Sequence, residues 1–544
     1  MTATHQVENQ PPALTGYNAF SSDAVFASAV RSSPGAWVAE QAAELGALVG
    51  DAAWQQLAHD ANRFTPELVT HDRFGHRADR VDFHPAYHAL MAAGIERGVH
   101  ALAWSAGRDG AFSARAALFF LWNQLEQGTA CPMTMTFAAR QVFTHVPALE
   151  KVWVPKLTAN RYDPRPLSVA EKSAVTVGMA MTEKQGGSDL RAVQTRAVAL
   201  ADGTFALTGH KWFCSAPMSD AFFTLARTAD GVGCFFVPRS LPDGARNTFL
   251  VQRLKEKVGN RSNASSEIEY RDTLAWPVGE PGRGIATLIE MAHLTRFDIV
   301  VGTAGMMRAA LHQVAHHVRH RAAFGKRLAD HALMQNVVAD LMLDGEAALL
   351  LALRLARAFD LAQTDMRERL IMRVLTPIAK YWHTKRITPW MVEAMECFGG
   401  NGFVEEHPMA RLYREAPLNG IWEGSGNVIC LDVLRAMQKT PEAVRALLDE
   451  IQAAAHDRPA LITQLANIRS RLADPAQLEA SARRLVEDLA LAAQAALLCE
   501  YSQPEVADAF IASRISREGG HAFGTIPARF DAAALAARAG LAPG

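Results

Sequence analysis

Apolar positions recur at three- and four-residue spacing through residues 37–57, 87–104 and 111–125, the pattern of helices that bury one face. Polar or proline-bearing breaks at 63–85 and 128–132 separate them. Near residue 176 the period shortens to two. Residues 195–200 and 204–208 flank Ala201-Asp202-Gly203, and 221–228 and 234–238 flank a second Asp-Gly turn, so each pair reads as strand, turn, strand. A short strand follows at 267–271. From 285 the helical spacing returns over four long stretches, 285–320, 333–361, 366–398 and 427–439, enough for a four-helix bundle. Residues 440–544 are alanine-rich and helical. The pattern predicts a mainly α protein with a small β domain: an N-terminal helical domain (1–175), a β domain (176–284), a helical bundle (285–439) and an extra C-terminal helical domain (440–544).

Length and composition narrow this picture only a little. A chain of 544 residues is too long for one core. Apolar residues make up 49% and charged residues 20%, an ordinary globular balance. The net charge of −1 excludes a globally basic nucleic-acid binder, so any basic surface must be local. Six cysteines (131, 214, 234, 397, 430, 499) lie scattered without a CxxC pair, which predicts reduced thiols in the cytoplasm and neither a disulfide framework nor a zinc site. Residues 1–13 lack the basic start and apolar run of a signal peptide. The most apolar stretch, 349–361, is interrupted by Arg354 and Arg357, so no membrane span is expected. His316 and His320 have metal-ligand spacing on a helix, but no acid or cysteine stands beside them in sequence, and no metal is expected.

Candidate chemistry gathers in five segments. Ile421-Trp422-Glu423-Gly424-Ser425-Gly426-Asn427 sets one carboxylate on a glycine-rich turn before a helical run. Glu423 there reads either as a helix-terminal acid stabilised by backbone amides or as a base held against a ligand. Met181-Thr182-Glu183-Lys184-Gln185-Gly186-Gly187-Ser188-Asp189 pairs hydroxyls with glycines that let backbone approach a flat ligand. Lys211-Trp212-Phe213-Cys214-Ser215 adds aromatic rings and another hydroxyl. Arg321-Ala322-Ala323-Phe324-Gly325-Lys326 carries a guanidinium suited to phosphate, and Phe398-Gly399-Gly400-Asn401-Gly402 is a further glycine loop.

In their order along the chain these segments resemble the acyl-CoA dehydrogenase flavoproteins, and the order of helical, β and bundle segments matches that family's architecture. The resemblance implies an acyl-CoA dehydrogenase-like fold, with a barrel-like middle domain, and FAD as cofactor. It implies that Met181, Thr182, Ser188, Phe213 and Ser215 hold the flavin, with Trp422, Ser425 and Asn427 beside it. Arg321 and Phe324 are expected to reach the diphosphate of a neighbouring subunit's FAD, and Gly399, Gly400 and Gly402 to receive its adenosine half; FAD would then bridge subunits of a homotetramer. Glu423 would be the base that removes the α-proton of an acyl-CoA. The other position at which family members place this base corresponds to Thr295, which cannot serve.

Several segments resemble one branch of the family, the AidB proteins of the adaptive response to alkylated DNA: Lys184-Gln185 within the first loop, Gly259-Asn260-Arg261-Ser262-Asn263-Ala264-Ser265, Leu412-Tyr413-Arg414-Glu415, and the extra C-terminal region. That resemblance implies binding of double-stranded DNA and weak activity on short branched acyl-CoA thioesters such as isovaleryl-CoA. Between 440 and 544, however, ten arginines and no lysine stand against thirteen acids, a balance of −3. DNA binding would need a segregated face built from Arg469, Arg471, Arg483, Arg484, Arg514 and Arg517, with Arg435 nearby. The alternatives are an ordinary short- or branched-chain dehydrogenase without DNA binding, and a flavin oxidase of nitroalkane type, for which an aspartate base would be expected in place of Glu423.

Overall fold

The computed structural model describes residues 4–455 and 457–541. The chain divides into two compact units, one made of residues 1–54, 112–125 and 299–544, the other of 55–111 and 126–298.

The second unit is built on a seven-stranded sheet. After a hairpin, β1 (Glu67–His71) and β2 (Arg77–Asp82), come β3 (Val177–Ala180), β4 (Arg196–Ala199), β5 (Phe205–Ser215), β6 (Ala221–Thr228), β7 (Gly231–Pro238), β8 (Phe249–Leu254) and β9 (Ser265–Val278). Strands β4, β5, β9, β7 and β6 pair in a ring, because β6 pairs with both β7 and β4; β3 and β8 lie outside it. Leu207, Phe222, Phe235, Val237, Phe249, Ile268 and Tyr270 form its core. The outer face of β6 and β7 is also covered: Phe143 packs edge-on against Phe223, and Trp153 edge-on against Phe236. Burial on both faces explains why Phe222-Phe223 and Phe235-Phe236 are apolar in succession rather than alternating.

Four of these strands went unread in the sequence: β8, β3 and both strands of the β1–β2 hairpin, the last two inside the supposed break at 63–85. Its charges conceal it. Asp79, buried and at φ 43°, accepts Arg77 Nε at 3.0 Å and Val251 N–H at 2.9 Å, and pairs with Arg246, fastening the hairpin to β8. A second buried carboxylate, Glu126, accepts Asn62 (2.9 Å), Gly128 N–H (3.0 Å), Thr129 N–H (2.7 Å) and Ser262 Oγ (2.6 Å). Gly128 is required there, since a Cβ would lie 1.8 Å from Ser262 Oγ. The Asn260–Ser262 part of the branch-specific motif therefore serves folding.

The first unit is helical. The long stretches read from sequence are the helices Gly284–His320 (counted with this unit from residue 299), Ala332–Leu361, Met366–Glu396 and Gly426–Lys439. Gly305 faces Phe120 O, 2.4 Å from where a Cβ would stand, so Gly284–His320 packs closely on Ala111–Leu125. The residues beyond Lys439 share this unit's core instead of forming one of their own. Leu485, Val486 and Leu489 of helix Leu478–Tyr501 are fully buried. Arg514 pairs with Asp340 and Asp344, and Arg538 with Glu346 at 2.8 Å. Among the described residues no helix is long and apolar enough to cross a membrane.

Candidate active site

In the β-sheet unit the two flavin-type segments meet. Trp212 N–H donates to Thr182 O at 2.8 Å, and Lys184 N–H to His210 Nε2 at 2.9 Å. A Cβ on Gly187 would come within 2.5 Å of Thr182 Oγ1, so the loop closes on the threonine only with glycine. What fixes the loop is Glu183, a residue to which sequence motifs assign no role. Fully buried, it accepts Lys211 Nζ (2.7 Å), Thr195 Oγ1 (2.6 Å), Gln194 N–H (2.7 Å) and Gln185 Nε2 (2.7 Å). Burial pushes the acid up, but the Lys211 charge and these donors hold it down at about 2; burial pulls the Lys211 ammonium down to about 8.

Around this support, Met181, Thr182 and Ser215 are half-buried and Ser188 is exposed. Ser215 Oγ lies 3.4 Å from Ser265 Oγ. Phe213 is 52% exposed although it sits inside β5. Lys255 Nζ stands 3.6 Å from the centre of the Trp212 ring and 4.6 Å from that of Phe213, and pairs with Glu267 at 2.7 Å. An accessible aromatic ring with hydroxyls near it on a rigid strand fits a flat, hydrogen-bonding ring system.

In the helical unit Glu423 has φ 56° and is followed by Gly424 at φ 102°. It precedes the helix Gly426–Lys439, whose N-cap is Ser425 and whose first turn holds no acid. Glu423 is half-buried, and its Oε2 is shielded from solvent. Buried Lys380, on helix Met366–Glu396, donates to Trp422 O at 3.0 Å and to Gly424 O, the carbonyls on either side of the acid. Trp422 Nε1 donates to Asn419 at 3.1 Å. Ser425 and Asn427 are exposed. Thr295 is buried and bonds back to Ala292 O, as a helical threonine does.

Arg321 donates to Asn9 O and is half-buried; Asn9 Nδ2 also donates to Ala322 O at 2.8 Å. Phe324 (φ 53°) and Gly325 (φ 80°) turn a hairpin between Ala322–Ala323 and Lys326–Arg327, leaving Phe324 98% exposed. The three glycines of the other loop differ. A Cβ on Gly399 or Gly400 would meet nothing within 4 Å, which leaves backbone open to a ligand, whereas one on Gly402 would lie 2.4 Å from Met395 O. Gly402 is thus fixed by packing. The His316 and His320 rings lie 4.3 Å apart and tilted by 41°, with His316 bonded to Pro12 O.

The arginines weighed for DNA do not form one free face. Arg471 and Arg484 both pair with buried Asp488, Arg514 is held by Asp340 and Asp344, and Arg483 Nε donates to Tyr381 Oη at 3.1 Å. Arg435, Arg469, Arg483 and Arg517 are exposed; Arg469 bonds Gln452 at 3.1 Å.

Three family descriptions match the chain: adaptive response protein AidB N-terminal domain over residues 9–164, acyl-CoA dehydrogenase middle domain over 178–273, and acyl-CoA dehydrogenase C-terminal domain over 282–438. AidB of Escherichia coli (strain K12) is 43% identical over 521 residues, 95% of each chain. Acyl-CoA dehydrogenase family member 11 of Caenorhabditis elegans is 31% identical, over 70% of this chain and 64% of its own. Among solved structures, Caenorhabditis elegans ACDH-11 in complex with C11-CoA superposes with a TM-score of 0.87 at 24% identity, covering 95% of this chain and 94% of that one. A Bacillus anthracis acyl-CoA dehydrogenase complexed with FAD gives 0.62 at 20% identity, covering 79% and 77%; both share the fold. The chain therefore belongs to the acyl-CoA dehydrogenase family, in its AidB branch, and FAD is the cofactor that this membership implies.

Proposed function

We propose that the protein dehydrogenates short branched acyl-CoA thioesters, isovaleryl-CoA among them, with slow turnover, and that Glu423 is the base. The observation that carries this is the carboxylate held in left-handed backbone on a turn pinned by Lys380. A non-glycine residue in that conformation costs about 1 kcal/mol or more and persists where surroundings enforce it, which is common at functional sites. The thioester α-proton is weakly acidic, so its removal needs a base fixed at the carbon and shielded from water. The half-buried Glu423, with Oε2 shielded, meets that demand. FAD, when bound, supplies the oxidant that accepts the β-hydride. Thr182, Ser188, Phe213 and Ser215 would hold its ring, and the open backbone at Gly399 and Gly400 would receive the adenosine half of a neighbouring subunit's FAD. A solved protein of this fold carries C11-CoA, and a 24% identical relative in rice is named isovaleryl-CoA dehydrogenase. Glu423→Gln should retain yellow flavin and lose anaerobic flavin reduction by isovaleryl-CoA. Reduction at the wild-type rate in that variant overturns the assignment.

The exposed Phe324 hairpin supports a homotetramer in which Arg321 and Phe324 approach a neighbour's FAD. Phe324→Ser should lower the mass measured by light scattering; an unchanged tetramer with unchanged flavin content removes the hairpin from the interface.

A second reading is duplex DNA binding within the response to alkylation. It is supported by the AidB likeness over 95% of the chain and by the exposed Arg435, Arg469 and Arg517. Affinity should then fall steeply with salt and show little sequence preference. Arg469→Glu/Arg517→Glu should weaken it without changing flavin content. No mobility shift at low salt leaves the plain dehydrogenase.

A further inference from the structure

We propose that Lys380 is the positioning residue of Glu423: its buried ammonium locks the backbone on both sides of the base. This rests on the reading of Glu423 as the base. Lys380 is 1% exposed, so its charge is out of water and must be met by protein groups. Two of those groups are Trp422 O, at 3.0 Å, and Gly424 O. They belong to alternate residues of one turn and converge on a single nitrogen. The peptide before Glu423 (422–423) and the one after Gly424 (424–425) are thereby tied to helix Met366–Glu396, which brackets the two-residue turn and holds the left-handed backbone at Glu423 and Gly424 against relaxation to an ordinary conformation.

The same helix braces the turn from its other side. Gly426 packs so closely on Lys385 and Tyr381 that a Cβ would stand 2.6 Å from Lys385 Cε and 3.4 Å from the Tyr381 ring. Asn419 accepts from Trp422 Nε1 and reaches Met306 Sδ at 3.6 Å on helix Gly284–His320. Without the ammonium, two part-buried carbonyls lose a charged donor and the turn has cause to rearrange. A base displaced by about 1 Å from its proton costs roughly a hundredfold in rate. The loss should fall on the proton-transfer step and not on substrate affinity, because Lys380 acts through the backbone of Glu423.

The test is stopped-flow flavin reduction by isovaleryl-CoA with the full-length holoprotein, comparing Lys380→Met, Lys380→Arg and Glu423→Gln. Methionine keeps the apolar stem and removes the donors. We expect normal flavin content, an apparent substrate Kd within about threefold of wild type, and a limiting reduction rate lowered roughly a hundredfold. Arginine restores charge and donors and should recover at least tenfold of that loss. If Lys380→Met gives no soluble holoprotein, Lys380→Leu, which also lacks donors, replaces it under the same criteria. A reduction rate within threefold of wild type in the donorless variant, or no recovery with arginine, overturns the proposal while an inactive Glu423→Gln leaves the base in place. A fully active Glu423→Gln instead overturns the assignment of the base itself.

Discussion

Replacing Lys211 by methionine tests the buried pair beneath the loop of residues 181–189. Methionine preserves the stem, so the change removes the ammonium and its bonds to Glu183 Oε1 (2.7 Å) and Leu225 O (2.8 Å). Breaking a buried ion pair from one side costs about 3–5 kcal/mol, since the other charge stays behind. Glu183 keeps Thr195, Gln194 and Gln185 as donors, which places the expected loss near the lower end, about 3 kcal/mol. For a unit of this size that is a fall in Tm of about 6–12 °C. Thermal unfolding at pH 7, followed by circular dichroism and by release of flavin fluorescence, reads both the unit and the loop. Flavin should leave first, because Trp212, adjacent to Lys211, donates the bond that holds Thr182. The double variant Glu183→Gln/Lys211→Met removes the stranded charge and should be more stable than Lys211→Met alone by at least about 1 kcal/mol. A Tm within about 1 °C of wild type for Lys211→Met refutes the reasoning, as does a double variant that loses the full sum of its parts.

Lowering pH tests the same pair. Glu183 titrates at 4.5 in the unfolded chain and about 2 in the folded one, so the unfolded chain binds the more protons between those values; its contribution is complete above about 4.5 and is lost as pH falls toward 2, visible as earlier flavin release in acid melts than in Glu183→Gln. Gly400→Ala should leave the flavin-free Tm unchanged and weaken FAD retention, whereas Gly402→Ala should lower the Tm by clashing with Met395 O. Equal behaviour of the two would remove the distinction between open and packed glycine. A chain ended at Lys439 should aggregate on expression, because it exposes the surface that Leu485, Val486 and Leu489 cover and strands Asp340, Asp344 and Glu346; a soluble, cooperatively melting product contradicts that packing.

The long helices were legible because apolar spacing of about 3.6 residues, sustained over many turns, fits a helix and not a strand. Ala332–Leu361 and Met366–Glu396 begin within one residue of the expected positions. The closed ring of strands was only half legible. Its Asp-Gly turns announce β4–β5 and β6–β7, but β8 and the β1–β2 hairpin alternate weakly and carry arginines whose partners lie far along the chain: Arg246 meets Asp79 across 167 residues. Motif chemistry showed the flavin-type loop and Glu423. It could not show what holds them, because both supports are lysines, and a lysine in a strand or helix ordinarily reads as solvated. Lys211 lies 28 residues from Glu183, and Lys380 lies 42 from Trp422.

The arginines of 440–544 show the same limit from the opposite side. A sequence gives the balance of charges but not which are already matched. Asp488 lies one helical turn beyond Arg484 and 17 residues beyond Arg471, and takes both. Arg514 finds Asp340 at a separation of 174 residues and Asp344 at 170. Each of these pairs is partly or fully withdrawn from water, so the arginine is bound to its acid and is a poor candidate to neutralise a phosphate as well. A count of ten arginines therefore overstates the cations open to an anionic partner. Of the arginines weighed for DNA, Arg435, Arg469, Arg483 and Arg517 are exposed, and reversing Arg435, Arg469 or Arg517 leaves the pairs at Asp488, Asp340 and Asp344 in place.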